Sequence, residues 1–576
     1  MSRRRRALLG CLVAALGLWV WLASRRPATV LGPPLDDGYE RVAGAVHVHT
    51  TLSDGGGTPH DVAVAARAAG LGFVAITDHN NVDAKAFEGY HDGVLVLVGS
   101  EVSTTAGHVV ALGVPDPAYR FSGDALDTLQ DVRDLGGVAF AAHPLSPRPD
   151  FAWSGWELPG PWGIELVNGD SQWRSAGWER QLRTAALYVA NPTYALLGSQ
   201  TPPDDALARW DQLLRARRVP GILGADAHSR LPISKRFAPR FPSYESLFRL
   251  SRNHVVLEAP LSGDAARDGA AIVTALGRGR SYLALDAIAP GDAFSFTATA
   301  GAERATMGDD VLVESKPLLR VRARAPRGSR ARLLRDGALV VESEPSDEQG
   351  LRLESAAGEP GCYRVEARTP GSRLPWILSN PICAYDAATL RARSARAAWP
   401  AEAPPPAAAA PLANLRTAEF AVETDPSSEA GKDARDLTAG PHGDTALRLA
   451  FRLGQPAPGR PFVWCALVNR ETRDLSASKG LVFQVKADGE YRFWLQLRDE
   501  NPASPDGGVE PWFASIRTSR EWRTVSVPFA RLRSIHPNSD GSFDPSRVRE
   551  LVFLVDHGAV KPGTAGTIWI AGLGVY

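Results

Sequence analysis

The chain carries no net charge: 64 Lys and Arg balance 64 Asp and Glu. That excludes the global basic field a nucleic-acid binder uses, and no nucleic-acid partner is expected. An acidic small substrate would need a local positive site, which metal ions can supply. Two methionines are unusually few, and four cysteines are few. Cys465 reads as a core thiol. Cys362 and Cys383 share one β-rich region, where a disulfide is permitted and two separate buried cysteines fit equally well. No long-period repeat is visible, and no Ser or Cys nucleophile is suggested. The triple glycine at 55–57 does not sit in a GxGxxG frame and reads as a flexible turn. A length of 576 residues excludes a single ordinary core, so three or four domains are expected.

The N-terminus reads as a targeting segment over residues 1–26. Arg3 to Arg6 precede a run of seventeen residues without a charge, Ala7 to Ala23, and Arg25 and Arg26 follow. Trp19 and Trp21 sit where an interfacial anchor would lie. This predicts an uncleaved signal anchor and transmembrane helix with a cytoplasmic N-terminus. The membrane is then a partner and the protein a single-pass one of the cell membrane, its bulk extracytoplasmic (periplasmic or extracellular). Secretion after signal cleavage is the alternative. The arginines after Ser2 hint at twin-arginine export, and Leu8-Leu9-Gly10-Cys11 mimics a lipoprotein box but comes too early.

A tether spans 27–43. From 44 to 290, apolar strand-like runs alternate with amphipathic helical stretches: AVHVH, FVAITDH, VLVLVGSEV, VAFAAH, GIELVN, GILGADAH and HVVLEAP. Continuous Val/Ile/Leu strands separated by helices predict a parallel sheet covered by helices, and about seven units favour a barrel over a doubly wound sheet. Thr58 reads as the N-cap of a helix with Pro59 at its first position and Gly70 past its end. Residues 171–218 form an insertion with two helical runs, either covering helices or a lid.

In HVHTTLSDGG, His47 and His49 alternate with one apolar residue. On a regular strand they point to one face. Catalytic residues of parallel barrels sit at the C-terminal ends of strands, and here the strands repeatedly end in ligand-type residues. His47, His49, His79, Glu101, His143, Asp226 and His228 fall there, His108 lies in the loop TTAGHVVALG, and Asp54 lies in the turn after the first strand. Asp78 reads as an outer residue orienting His79. Arg230, two past His228, and Arg148, five past His143, either contact a phosphate or are surface arginines. Mixed His and carboxylate ligands suit Zn, Mn or Fe rather than Mg or Ca.

HxH, a following SDG, TDHN, GSE, a strand-end HP and DAH, in this order, resemble the PHP (polymerase and histidinol phosphatase) superfamily. The wording HVHTTLSDGGGTP, FVAITDHNNV and GILGADAHS resembles its exported, carbaryl-hydrolase-like metallohydrolase branch. The resemblance implies a distorted (β/α)7 barrel holding two or three divalent ions. It assigns His47, His49, Asp226 and Glu101 to a first ion. Glu101 bridges to a second, held by His143 and His108, and Asp54, His79 and His228 hold a third. Where Asp54 stands, the family often has His. Glu101 and Asp226 are the catalytic candidates, with Arg230 beside them.

After the barrel the sequence period changes to two, which predicts two all-β sandwich domains. The first covers 291–387. A Pro/Ala-rich linker, expected to be disordered, covers 388–414. The second, at 415–576, resembles galactose-binding-like jelly rolls and carbohydrate-binding modules. Trp494, Trp512, Trp522 and Trp569 there either stack on a glycan or fill the core. The expected function is an extracytoplasmic metal-dependent hydrolase. It is read as a phosphoesterase that turns over a small phosphate or other ester with a metal-bridged hydroxide. The alternatives are a carboxyl-ester, carbamate or amide hydrolase, and, in another class, an envelope glycan-binding protein with a non-catalytic barrel.

Overall fold

The computed structural model describes residues 13, 16, 17, 19–231, 234, 238–399, 404–412, 420–431, 435–439, 445–501, 508–534, 536 and 538–576. The chain forms two compact units, residues 1–116 with 123–400, and residues 117–122 with 401–576.

The first unit begins with strands β1 (Glu40–Val48), β2 (Phe73–Ile76), β3 (Gly89–His91), β4 (Val94–Val98), β5 (Ser100–Thr104) and β6 (Gly107–Leu112). It continues with β7 (Val138–Ala141), β8 (Trp162–Asn168), β9 (Gly221–Ala227), β10 (Arg252–Leu257) and β11 (Ser281–Ala284). Every residue of β2, β4 and β9 is buried, as apolar strands covered on both faces require. Hydrogen bonding runs in parallel from β1 to β2 and on to β4. The chain then continues into β5, which pairs antiparallel with β6, and β6 pairs antiparallel with β7. Parallel pairs β7–β8, β8–β9 and β9–β1 close the path.

Two expectations change here. His108 is not in a loop. GHVVAL is an apolar run between Gly107 and Gly113, both at positive φ, and forms the fully buried β6. The strand containing HVVLEAP is β10, which lies outside the closed path. It pairs antiparallel with the first half of β1 and with β11.

The helix Pro59–Ala68 starts as the sequence predicts. Thr58 Oγ1 accepts from the Asp61 N–H at 3.2 Å, and Asp61 Oδ2 accepts from the Thr58 N–H at 2.9 Å. Gly70 takes φ +76 just beyond its end. The 171–218 insertion holds helices Trp178–Tyr188, Pro192–Leu197 and Asp204–Ala216.

The first β-rich region builds a four-stranded sheet from strands 303–306, 294–300, 318–323 and 351–356. Its other strands join the first sheet directly, because Ile377–Ser379 pairs with β11. Cys362 and Cys383 face each other across an antiparallel pair and are disulfide-bonded. Cys465 is free and buried. The expected linker begins with a helix, Ala387–Ala397, whose Arg393 is buried and bonds to carbonyl groups of Leu214 and Arg215.

The membrane expectation is overturned. Among the described residues, no helix is long and apolar enough to cross a membrane. A span needs about 20 apolar residues for a core of about 30 Å. A described helical stretch ends at Ser24. Its end is tied down: Asn191 Nδ2 donates to the carbonyls of Leu22 at 3.1 Å and Arg25 at 3.0 Å. The transmembrane signal anchor, the membrane as partner and the single-pass cell-membrane location are therefore withdrawn. Arg3 to Arg6 and the Leu8–Cys11 box lie outside the described residues.

The second unit packs two sheets. One follows strands 429–430, 445–452, 565–575, 480–487 and 523–528, and the other 421–424, 464–469, 548–556, 492–500 and 509–517. Phe483, Leu495 and Phe553 are buried between them. Trp512 is buried and donates to Asp499 Oδ1 at 2.9 Å, and half-buried Trp494 donates to Asp556 Oδ1 at 2.8 Å. Trp522 and Trp569 are half-buried, with Lys486 Nζ about 5 Å from each ring.

Candidate metal centre

The ends of β1, β2, β5, β6, β7 and β9 deliver nine ligand-type side chains to one place. His47 and His49 come from β1, but not by simple pleat alternation. His47 has φ +68, and the register of β1 slips on both sides between Val46 or Ala45 and Val48. The bulge re-aims the chain, and the two rings lie 5.1 Å apart. His143 (φ +30) and Asp226 (φ +46) are also in the left-handed region. Non-glycine residues adopt it at a cost, and such positions cluster at functional sites.

Glu101 is the centre of the cluster and is 1% exposed. Its Oε1 lies 2.7 Å from His108 Nδ1 and 2.8 Å from His143 Nε2. Its Oε2 lies 3.1 Å from His47 Nε2, 3.2 Å from His49 Nε2 and 3.1 Å from His79 Nδ1. Asp226 Oδ1 is 3.5 Å from His47 Nε2 and 3.4 Å from His49 Nε2. On the open side, Asp54 Oδ1 is 3.2 Å from His228 Nε2 and 3.7 Å from both His49 Nδ1 and His79 Nε2.

Among the described residues, three ligand groups are close enough to hold a cation: His49, Asp54, His79 and His228; His47, His49 and Glu101; and His79, Glu101 and His108. His79 therefore reaches both Glu101 and Asp54 through its two ring nitrogens. The donor atoms fit metal ions. His47 Nε2, His49 Nε2, His79 Nδ1 and Glu101 Oε2 are buried around one point and make no hydrogen bond. Buried polar atoms left so are costly unless a cation satisfies them.

The electrostatics agree. Burial works against charging His47, but Asp226, Glu165 and Glu101 outweigh it and hold the imidazole well above its ordinary value. Burial would raise Glu101 and Asp226, yet the surrounding imidazoles, His47 foremost, hold both carboxyls well below the usual range. Against the same penalty, His228 rises to about 9 beside Asp54 and Asp226, while Asp54 falls to about 2. The carboxylates draw positive charge into the cluster, which is what a divalent cation supplies.

The remaining expected residues are placed differently. Arg230 is exposed at the rim, its Nη1 3.3 Å from the Asp54 carbonyl. Arg148 stacks its guanidinium 3.7 Å from the Phe151 ring centre, and Phe151 packs 4.9 Å from the His108 ring. Asp78 does not orient His79. Its carboxylate accepts from the Thr50 N–H and hydroxyl, both at 2.7 Å, and from Ser53 Oγ at 2.5 Å, so it fixes the turn after β1. That turn is less free than its glycines suggest. A Cβ on Gly55 or Gly56 would lie 2.4 Å from the His49 carbonyl oxygen or 2.3 Å from that of Ser229.

Two residues were missed by reading the sequence. Glu165, 1% exposed on β8, accepts from His47 Nδ1 at 2.7 Å and from the His143 N–H at 2.7 Å. Its signal was a lone carboxylate inside the apolar run GIELV, a residue type rarely buried without a partner. Tyr244 has no such signal. Its buried hydroxyl donates to the His49 carbonyl at 2.8 Å and accepts from the Gly57 N–H at 3.1 Å.

No family model matches the chain. A two-domain protein of Bacteroides vulgatus, described as containing a predicted PHP-like metal-dependent phosphoesterase, is 16% identical. Its match covers 62% of this chain and 99% of that one, with a TM-score of 0.29. A family 11 carbohydrate-binding module of Clostridium thermocellum, in complex with a mixed-linked tetrasaccharide, is 15% identical, over 29% of this chain and 94% of that one, with a TM-score of 0.23. The uncharacterized protein MJ1587 of Methanocaldococcus jannaschii is 32% identical over 117 residues, which is 18% of this chain and 67% of that protein. On that match, the chain belongs to the same family as the Methanocaldococcus protein.

Proposed function

We propose that the chain is a metal-dependent hydrolase of the PHP type, most simply a phosphoesterase, using two or three ions of Zn, Mn or Fe. In this reading residues 44–290 are a distorted (β/α)7 barrel, 291–387 a β-sandwich, 388–414 a connection and 415–576 a galactose-binding-like sandwich. One observation carries it: the two oxygens of Glu101 are shared among five imidazoles, three of which have buried nitrogens without hydrogen bonds.

His47, His49, Asp54, His79, Glu101, His108, His143, Asp226 and His228 would hold the ions. Bound there, divalent ions supply Lewis acidity and bring the pKa of water near neutrality. The chain does the rest. Glu101 and Asp226 hold negative charge where the imidazoles converge. His47, His49 and Glu101 are buried, while Asp54, His79 and His228 are the partly exposed ligands at the rim. Arg230, exposed beside Asp54, would meet an anionic oxygen of the substrate.

The test is turnover by the full chain loaded with Mn or Zn, on model phosphomonoesters, phosphodiesters and aryl esters. Phosphoester hydrolysis that His47→Ala lowers at least a hundredfold is the expected result. Metal-loaded protein that turns over none of them overturns the reading. Faster hydrolysis of carboxyl esters or carbamates than of phosphoesters favours the carbon-centred alternative. A glycan role for the second unit rests on the half-buried Trp522 and Trp569, and retention on immobilised glucans, lost in Trp522→Ala, tests it.

A further inference from the structure

Glu165 stands behind the ligand cluster, and no ligand group includes it. Its Oε1 accepts from His47 Nδ1 at 2.7 Å. Its Oε2 accepts from two N–H donors, the His143 backbone at 2.7 Å and Asn168 Nδ2 at 2.8 Å. The carboxylate fits only because residue 224 is glycine: a Cβ there would lie 2.0 Å from Glu165 Oε1. One side chain thus touches His47 and His143, whose Nε2 atoms lie at different oxygens of Glu101.

Given the hydrolase reading, on which this rests, we propose that Glu165 is the positioning residue that sets the tautomer of His47 and fixes the backbone of His143. In the neutral form that can ligate a cation, Nδ1–H donated to Glu165 leaves the lone pair of His47 on Nε2, facing Glu101 and Asp226. A histidine's free nitrogen is decided by the bond its other nitrogen makes. Glutamine at 165 has the same shape but only one oxygen. Two donors, His143 N–H and Asn168 Nδ2, converge on one end of the group, so the amide oxygen goes there. The amide NH2 then faces His47 Nδ1 and donates to it. The ring proton moves to Nε2, where it occupies the lone pair a cation would use. Every hydrogen bond behind the site is still made, so the fold is kept while the ligand is turned off.

The experiment titrates the metal-free full chain with Co2+ alone. It reads the number bound, the affinity and the visible absorption, and follows the thermal unfolding of the metal-free chain. For Glu165→Gln we expect at least tenfold weaker Co2+ binding at one position, with altered absorption and unchanged unfolding of the metal-free chain; outer partners of ligating histidines typically contribute 10–100-fold. Gly224→Ala pushes the same carboxylate away without removing its charge and should reproduce the loss. Wild-type binding with undiminished binding by both variants overturns the role of Glu165 and leaves the hydrolase reading standing. Wild-type chain that binds no Co2+ overturns the hydrolase reading itself.

Discussion

At the residue scale, the site concentrates strain and charge. His47, His143 and Asp226 all have positive φ, at a cost on the order of 1–3 kcal/mol each. Such conformations persist only where neighbours over-determine them, as Glu165 does for His47 and His143. Asp54 differs from the other carboxylates. Its side chain is 49% exposed, and it touches His228, His49 and His79 but not Glu101. Asp54→Ala should therefore remove one bound ion and leave those around Glu101, read by metal analysis of the purified chain. Loss of all ions, or of none, contradicts that division.

At the scale of elements, the turn after β1 and the helix Tyr244–Leu250 lock the strand ends together. The Tyr244 hydroxyl connects the His49 carbonyl with the Gly57 N–H. Tyr244→Phe leaves that buried N–H unpaired, which costs about 1–3 kcal/mol. A lower unfolding temperature of the metal-free chain is expected, with weaker metal binding, because both β1 and the Gly55–Gly57 turn lose their tie. The helix Pro59–Ala68 and its cap were legible because Thr58, Pro59 and Gly70 each have one local role. β6 was not legible as a strand, since its glycine-bounded apolar run is also what a short buried loop would show. Nor was the antiparallel direction of β10, because direction depends on where the chain returns and not on the run itself.

At the scale of the whole molecule, the second unit carries its own pH dependence. Burial pushes the Asp499 carboxyl up to about 6, assisted by Glu510 and Asp540, although the Asp544 N–H and the Trp512 indole oppose it. A folded value above the ordinary 3.8 means that Asp499 adds stability below pH 3.8 and that this contribution is lost as pH rises through about 6. The unfolding transition of the second unit should fall between pH 4 and pH 7 by about 2 kcal/mol, and Asp499→Asn should flatten the slope, as read by calorimetry of the full chain. An unchanged slope would remove Asp499 from the account.

The sequence by itself determined which residues are ligand-type and in what order strand ends present them, because HxH, TDH, GSE and DAH each combine a strand run with its terminal side chains. It also determined that two β-rich regions follow. Only the tertiary structure decided the rest. It bent β1 at His47, drew His108 into a buried strand and ended the idea of a membrane-spanning helix among the described residues. It also placed Glu165 behind His47. The placement of Glu165 depends on residues far apart in sequence, His47 and Glu165 at a separation of 118, whereas β6 forms by pairing with its neighbours β5 and β7. Local periodicity carries no information about such pairs.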